Sequence, residues 1–337
     1  MIEALFYSKE KENTLRCRLC PHNCLIPRDK TGYCGVRRNN EGTLYSLTFG
    51  RIISAACDPV EKKPLYHFYP GTSAYSLGGF GCNLACRHCQ NHDISQVRDE
   101  TSFSRLHSMT PEEIVDNAQF HHCKMIAWTY NEPTIWYEYI LETSKLAIKA
   151  GIKTVLITNG VINSEPLKEL LPYIDAYRVD IKGFSKDFYK SLSGFPFLET
   201  VKKSAETAFN RGCHVELVSN IIPGWNDDPP QINRLIDWIL DKLDESVPWH
   251  VTAYHPAYKL RETSTPAETL EKISALGKSL GLKHIYLGNV YSSTGNNTIC
   301  PGCGKTVIRR FAMSMEENIL KEGCCPDCSY KLKMYQG

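Results

Sequence analysis

The densest chemistry in the chain is the string GFGCNLACRHCQNHD, where Cys82, Cys86 and Cys89 stand in a C-x3-C-x2-C pattern beside glycines. Three thiols so close together can ligate three corners of an iron–sulfur cubane. A [4Fe–4S] cluster usually takes four thiolates, so three leave one iron open to another ligand. A zinc site of three cysteines completed by His88 or His92 would use the same residues. Position favours the open cluster: the motif follows an apolar run and faces polar residues at the ends of later runs, where parallel sheets bind ligands.

Fifteen cysteines occur in 337 residues, and most of the others also cluster, which reads as metal ligation rather than disulfide pairing in a reducing compartment. The leading group, Cys17, Cys20, Cys24 and Cys34 in CRLCPHNCLIPRDKTGYCGVR, suits zinc or an auxiliary iron–sulfur cluster, and His22 could replace one thiolate. The trailing group reads CPGCG and CPDCS, with 21 residues between Cys303 and Cys325. Two Cys-Pro-x-Cys turns make the tetrahedral four-thiolate site that zinc favours, from Cys300, Cys303, Cys325 and Cys328. Cys324 would shorten the gap toward the usual ribbon spacing, but Pro326 restores the turn only for Cys325. A rubredoxin-like iron is the alternative here. Cys57, Cys123 and Cys213 stand alone, read as small buried hydrophobes, and carry no assigned chemistry.

The elements that must position these groups change along the chain. Residues 1–72 are cut by Pro21, Pro27, Gly32, Gly35, Gly42, Pro59, Pro64 and Pro70 before any period reaches helix length, which predicts a loop-rich lead held by metal or by packing. Across 73–297, short apolar runs alternate with amphipathic ones: SAYSLGG, MIAWTY, KTVLITN, AYRVDIKG, CHVELVSNII, WHVTAYH and HIYLG are each followed or preceded by a helical segment. Near-continuous apolar strands imply a parallel sheet covered by helices, either a full or partial barrel or a doubly wound sheet. Thr110-Pro111-Glu112-Glu113 and Thr265-Pro266-Ala267-Glu268 read as capped helix starts. Polar residues gather at strand ends as Asn131-Glu132, Thr158-Asn159, Asp180-Lys182 and Tyr254-His255. Residues 298–337 form a separate zinc-ribbon-like tail.

The cysteine motif, with His88 before its third cysteine, resembles the signature of the radical S-adenosylmethionine (SAM) superfamily, and the rest of the sheet resembles the pyruvate formate-lyase activating enzyme branch. That resemblance implies a partial (β/α)6-type parallel barrel of the radical SAM type. It also implies a [4Fe–4S] cluster on Cys82, Cys86 and Cys89 whose open iron is chelated by SAM, reductive cleavage to a 5′-deoxyadenosyl radical, and hydrogen abstraction from a substrate it does not name. By the same resemblance Asn131-Glu132 in Tyr-Asn-Glu-Pro corresponds to a Gly-Gly-Glu-Pro segment holding the cofactor's amino group. Thr158-Asn159-Gly160 matches an Asp-Thr-Asn-Gly segment, with Ile157 in place of the aspartate. Asp180-Ile181-Lys182 matches Asp-Leu-Lys; one of the two aspartates that bind a monovalent cation in those enzymes is therefore missing. Ile222-Pro223-Gly224-Trp225-Asn226-Asp227-Asp228 follows a family run, and Tyr254-His255 matches a Tyr-His pair. The implied cofactor-binding set is His88, Asn131, Glu132, Thr158, Asn159, Asp180, Lys182, Asn220 and His255. The leading Cys-x2-Cys-Pro, the segment DPVEKKPLYHFYPG, Tyr-Asn-Glu-Pro and the ribbon tail together resemble the radical enzyme of the three-gene system found with Memo and AMMECR1 homologues. Implied partners are those two protein types and an electron donor such as ferredoxin or flavodoxin. Lys62, Lys63, His67 and Tyr69 are candidates for a substrate mouth.

Other function classes fit less of the chain. With 39 Lys+Arg against 37 Asp+Glu, a net +2, no global field draws it to nucleic acid or an anionic membrane. No apolar run approaches a membrane span, and MIEALFYSKEKEN turns charged too early for a signal peptide, which predicts a cytoplasmic protein. A ribbon module contacting nucleic acid would have a basic tail in Lys305, Arg309, Arg310, Lys321, Lys331 and Lys333 but no use for the sheet. A ferredoxin-like carrier would not leave an iron open. An activase that abstracts a glycine hydrogen from a glycyl-radical enzyme is the alternative activity.

Overall fold

Strands apolar on both faces need cover on both faces, and the chain supplies it from two sources. In the computed structural model, which describes residues 1–98, 107–290 and 295–336, an eight-stranded sheet is built from β1 (Ser54–Pro59), β2 (Ser73–Gly78), β3 (Met125–Trp128), β4 (Lys153–Thr158), β5 (Ala176–Asp180), β6 (His214–Ile221), β7 (Trp249–Ala253) and β8 (Ile285–Gly288). Spatial order follows chain order. Strands β2 to β8 run parallel and β1 pairs antiparallel with β2. A doubly wound sheet reverses its strand order at a switch point; this one never does, which makes it a partial barrel.

Helices fill each crossover: α1 (Pro111–Phe120), α2 (Tyr137–Lys149), α3 (Ser164–Leu170), α4 (Lys186–Leu192) with α5 (Leu198–Asn210), α6 (Pro229–Lys242) and α7 (Ala267–Ser279). Crossovers of one hand in a sequential sheet put the helices on one face. Alternation along the strands then divides the core. Tyr75, Leu77, Ile126, Trp128, Leu156, Tyr177 and Val179 join the helix-side core. Their neighbours Ala74, Met125, Ala127, Val155, Ile157 and Ala176 pack against Val60, Leu65 and Phe68 of the lead.

One expected cap forms and one does not. At α1 the Thr110 hydroxyl accepts from Glu113 N (3.2 Å) while Thr110 N donates to the Glu113 carboxylate (2.7 Å). At α7 the cap residue is Pro266, with no side-chain bond. Thr265 is spent elsewhere, donating to Ile221 O (2.5 Å) and accepting from Tyr254 N (2.9 Å), so it ties two strand ends together.

The lead is more ordered than its prolines and glycines suggested. It contains a three-stranded sheet around Leu15–Cys17 and a hairpin of Arg37–Asn40 with Thr43–Ser46, and β1 extends the main sheet. Strands of two to four residues are too short to show a period in sequence. The tail folds as Thr298–Ile299, Thr306–Phe311 and Ser314–Asn318 and docks on the lead: Tyr69 N donates to Tyr335 O (2.9 Å), Tyr335 N to His67 O (2.8 Å), and the buried Arg310 to Tyr66 O (2.7 Å). Cys57 and Cys123, read as isolated and buried, lie with their sulfurs 3.5 Å apart, and Cys57 is exposed. Among the described residues no helix is long and apolar enough to cross a membrane.

Candidate active site and metal centres

The C-terminal ends of the parallel strands open on a cavity of about 690 Å³, a size that holds small organic ligands. On one side stands the loop after β2, which carries Cys82, Cys86 and Cys89, all three lining the cavity. Gly81 makes the turn into it at φ +88, and a Cβ there would sit 2.7 Å from the Cys34 carbonyl, so the turn needs glycine on both counts. Ala85 N and Arg87 N donate to Ser193 O (3.1 Å) and Leu192 O (2.8 Å) at the end of α4, anchoring the loop.

Amides and carboxylates at the strand ends hold that loop against the sheet. Asn131 accepts from Gly79 N (3.0 Å) and donates to Gly81 O (3.1 Å). Asn159 Nδ2 donates to Asn83 Oδ1 (2.9 Å) and lies 3.7 Å from Cys82 Sγ. Glu132, fully buried, accepts from Thr134 N (2.8 Å), Thr158 Oγ1 (2.7 Å) and Asn159 N (2.8 Å); burial pushes its carboxyl above the usual range despite these donors. Opposite stands a charged group. Burial would raise Asp180, but the Arg178 guanidinium and Lys182 Nζ (3.0 Å) outweigh it and hold the carboxyl low. Asn220 on β6 donates to Ala253 O (2.9 Å) and completes the wall.

His88, Asn131, Glu132, Thr158, Asn159, Asp180, Lys182 and Asn220 therefore converge on the cavity with the three cysteines. His255 does not: it is exposed, outside the lining, and pairs with Ser264 Oγ (3.1 Å) and Asn289 O (3.2 Å). Lys62 and Lys63 line the mouth, with Lys63 buried against Asp58. His67 and Tyr69 lie elsewhere: His67 is fully buried with Nε2 2.6 Å from Tyr286 OH, and Tyr69 packs on Phe68 and Tyr335. Arg178 is the residue the sequence reading passed over. Its Nε also donates to Lys63 O (3.1 Å), linking the mouth to Asp180, and a lone arginine two positions before Asp180 in an apolar strand was the available signal. Asn296 and Met313 reach the same cavity from the tail side.

The donor set suits an iron–sulfur cluster. Burial, the Glu132 charge and neighbouring thiols push Cys82 well up, and burial does the same to Cys86; a bound cationic centre is what would let both sit as thiolates. His88 is driven down to about 3 by burial and by Lys182. It is neutral, and its Nδ1 is buried without a partner. Among the described residues, the set of three or more ligand atoms all within 4.8 Å of one another lies in the tail, not here, which disfavours a single zinc on these cysteines and His88 or His92. The tail set is Cys300, Cys303, Cys325 and Cys328, with sulfurs 3.5 Å (Cys300 to Cys328) and 3.7 Å (Cys303 to Cys325) apart. Four sulfurs 2.3 Å from one tetrahedral ion lie about 3.8 Å apart, so this set fits one metal ion. Cys324 turns to Glu322 O and is not part of it.

The chain is similar to several known proteins. The family described as the Radical SAM superfamily matches residues 77–236. An uncharacterized protein of Methanocaldococcus jannaschii is 44% identical over 313 residues, 92% of each chain. The pyruvate formate-lyase 1-activating enzyme of Escherichia coli K12 is 24% identical over 61% of this chain and 89% of its own. A solved radical SAM methyltransferase from Sphaerobacter thermophilus covers 70% of this chain and 71% of its own at 16% identity, with a TM-score of 0.49.

Proposed function

The chain belongs to the radical SAM superfamily and is an enzyme of that type; from that premise we propose that Cys82, Cys86 and Cys89 hold its [4Fe–4S] cluster and that the strand-end residues around them bind S-adenosylmethionine. When bound, the cluster supplies the electron that cleaves the sulfonium, giving methionine and a 5′-deoxyadenosyl radical. The observation that carries this reading is the convergence of three thiols, His88 beside them and seven strand-end polar residues on one cavity.

The chain's own residues divide the remaining work. Asn131 and Asn159 fix the cysteine loop to the ends of β3 and β4, and Glu132 ties those two ends together, so the sulfurs are aimed before any ligand arrives. Arg178 and Lys182, bracketing Asp180, supply positive charge for the cofactor's carboxylate at a site where Ile157 replaces the second acid. Glu132 and the open faces of Asn131 receive its amino group. The lead at 61–66 and the tail at Asn296 and Met313 narrow the mouth, keeping water from a radical that would abstract hydrogen from whatever it meets.

The tail cysteines carry zinc in this proposal, and the lead cysteines a further metal centre. The finer assignment is to the three-gene branch with Memo- and AMMECR1-type partners, acting in the cytoplasm with ferredoxin or flavodoxin as donor. Its support is the residue resemblance of lead, sheet and tail described above; the likeness to the M. jannaschii relative extends over 92% of this chain. Activation of a glycyl-radical enzyme is the second reading, favoured by the likeness to the E. coli activating enzyme. The test is anaerobic: reconstitute with iron and sulfide, reduce in the presence of S-adenosylmethionine, and assay 5′-deoxyadenosine. Formation that depends on Cys82, Cys86 and Cys89 supports the proposal. Intact cofactor with only zinc bound overturns it.

A further inference from the structure

We propose that Cys17, Cys20, Cys24 and Cys34 hold a second iron–sulfur cluster, closed by four protein thiolates and seated against the back of the loop that carries Cys82, Cys86 and Cys89. This goes beyond the function above and does not depend on it.

The four thiols, which fold and sequence left open between zinc and iron, line one small cavity of about 20 Å³ with Leu19, Ile26 and Arg37. A void that admits a water-sized sphere at all needs sulfurs standing further from its centre than the roughly 2.3 Å of a zinc site. Four sulfurs drawn to 2.3 Å from a single zinc stand about 3.8 Å apart, in contact with one another, and leave no such room. The tail shows what a one-ion set looks like in this same chain, with its four sulfurs all within 4.8 Å of one another; among the described residues the lead cysteines do not form such a set. They share a cavity yet stand apart, as ligands on the corners of a multi-iron cube must.

A second observation points to an anionic occupant. Arg37 is 1% exposed and lines the cavity. Its Nη2 is taken by Glu138 and by Leu5 O (3.0 Å), but its Nε and Nη1 are buried without a partner. Two stranded guanidinium donors beside Cys17 and Cys34 cost free energy unless an acceptor is present, and the sulfides and thiolates of a cluster are such acceptors. His22 lines the same cavity, with its Nε2 2.7 Å from Asn83 O and its ring stacked on Tyr33. Through that bond, and through the Cys34 carbonyl packed on Gly81, the lead site abuts the residues on either side of Cys82.

The test counts metals in the full-length protein, reconstituted anaerobically with iron, sulfide and zinc. The wild type is expected to hold about eight irons, from two cubanes, and about one zinc. The triple variant Cys82→Ala/Cys86→Ala/Cys89→Ala is expected to keep about four irons and four sulfides, with a reduced-state paramagnetic signal that S-adenosylmethionine does not alter. Cys17→Ser/Cys34→Ser is expected to lose that signal while retaining the tail's zinc. A triple variant with no iron and about two zincs per chain overturns the proposal. Should the lead variant fail to fold, the triple-variant count still decides. Failure of the active-site reading shows separately, as absent 5′-deoxyadenosine in the wild type.

Discussion

At the scale of single residues, the cysteine pattern was readable because thiolate ligation needs a fixed residue type at fixed spacing, and Cys82, Cys86 and Cys89 meet that need within one loop. Roles resting on approach from distant strands were less readable, as His255 and Arg178 show. Both are polar residues near strand ends, yet Arg178 faces the cavity and His255 pairs with Ser264 at its rim. Two variants separate them. Asp180→Ala removes the carboxylate that holds Arg178 and Lys182 in place and, by letting both cations move off the cofactor's carboxylate, is expected to weaken S-adenosylmethionine binding about tenfold, or about 1.4 kcal/mol. His255→Ala is expected to change affinity less than about twofold by the same scale. Calorimetric titration of the reconstituted protein measures both, and equal losses would return His255 to the site. A third test concerns the buried pair of Arg37 and Glu138, whose side chains are 1% and 3% exposed. Glu138→Ala removes the partner of a buried cation and is expected to cost about 3–5 kcal/mol in urea unfolding; a loss under about 1 kcal/mol would mean Arg37 finds another anion.

At the scale of elements, the strand and helix runs were legible because period and apolarity repeat over many residues, while the strands of the lead were too short to register. Register then decides chemistry that composition does not reveal. Strands β6, β7 and β8 bring His214, Glu216, His250 and His284 together at the end of the barrel away from the loop. Glu216 is fully buried and pairs with His214 Nε2 (2.8 Å) and His250 Nε2 (2.6 Å), while His284 rings pack on His67 at 4.4 Å. Burial lowers His67 and His250 and takes His284 down to about 4. A histidine depressed in the folded state binds its proton more readily when unfolded. Its stabilisation is therefore complete above its unfolded value, about 6.5, and is lost as pH falls toward the folded one. Unfolding free energy should accordingly decline from about pH 6.5 to about pH 4, with His284 alone contributing roughly 3 kcal/mol over that span. His284→Phe is expected to flatten the slope by that amount. An unchanged slope would assign the acid sensitivity to other groups, metal release among them.

At the scale of the whole molecule, the three cysteine regions are one assembly. The lead adds β1 to the sheet and covers its inner face, and the tail locks onto the lead through Tyr335 and Arg310 and reaches the cavity at Asn296 and Met313. Cys300→Ser is expected to release about one zinc per chain and lower Tm, because a structural four-thiolate site contributes folding energy outright. Since the cysteine loop is anchored on α4 and the strand ends, the iron absorbance and spin signal of its cluster should persist; their loss would mean the tail supports the loop as well as the mouth. Local rules were enough for the sequence to show the cysteine clusters, the strand and helix runs and the family resemblance, because each depends on residue type and short spacing. Tertiary structure alone decided which strand-end side chains share the cavity and that Arg37 meets the lead cysteines with two donors lacking a partner. Those facts depend on how segments scores of residues apart are turned toward one another, and no local period records that.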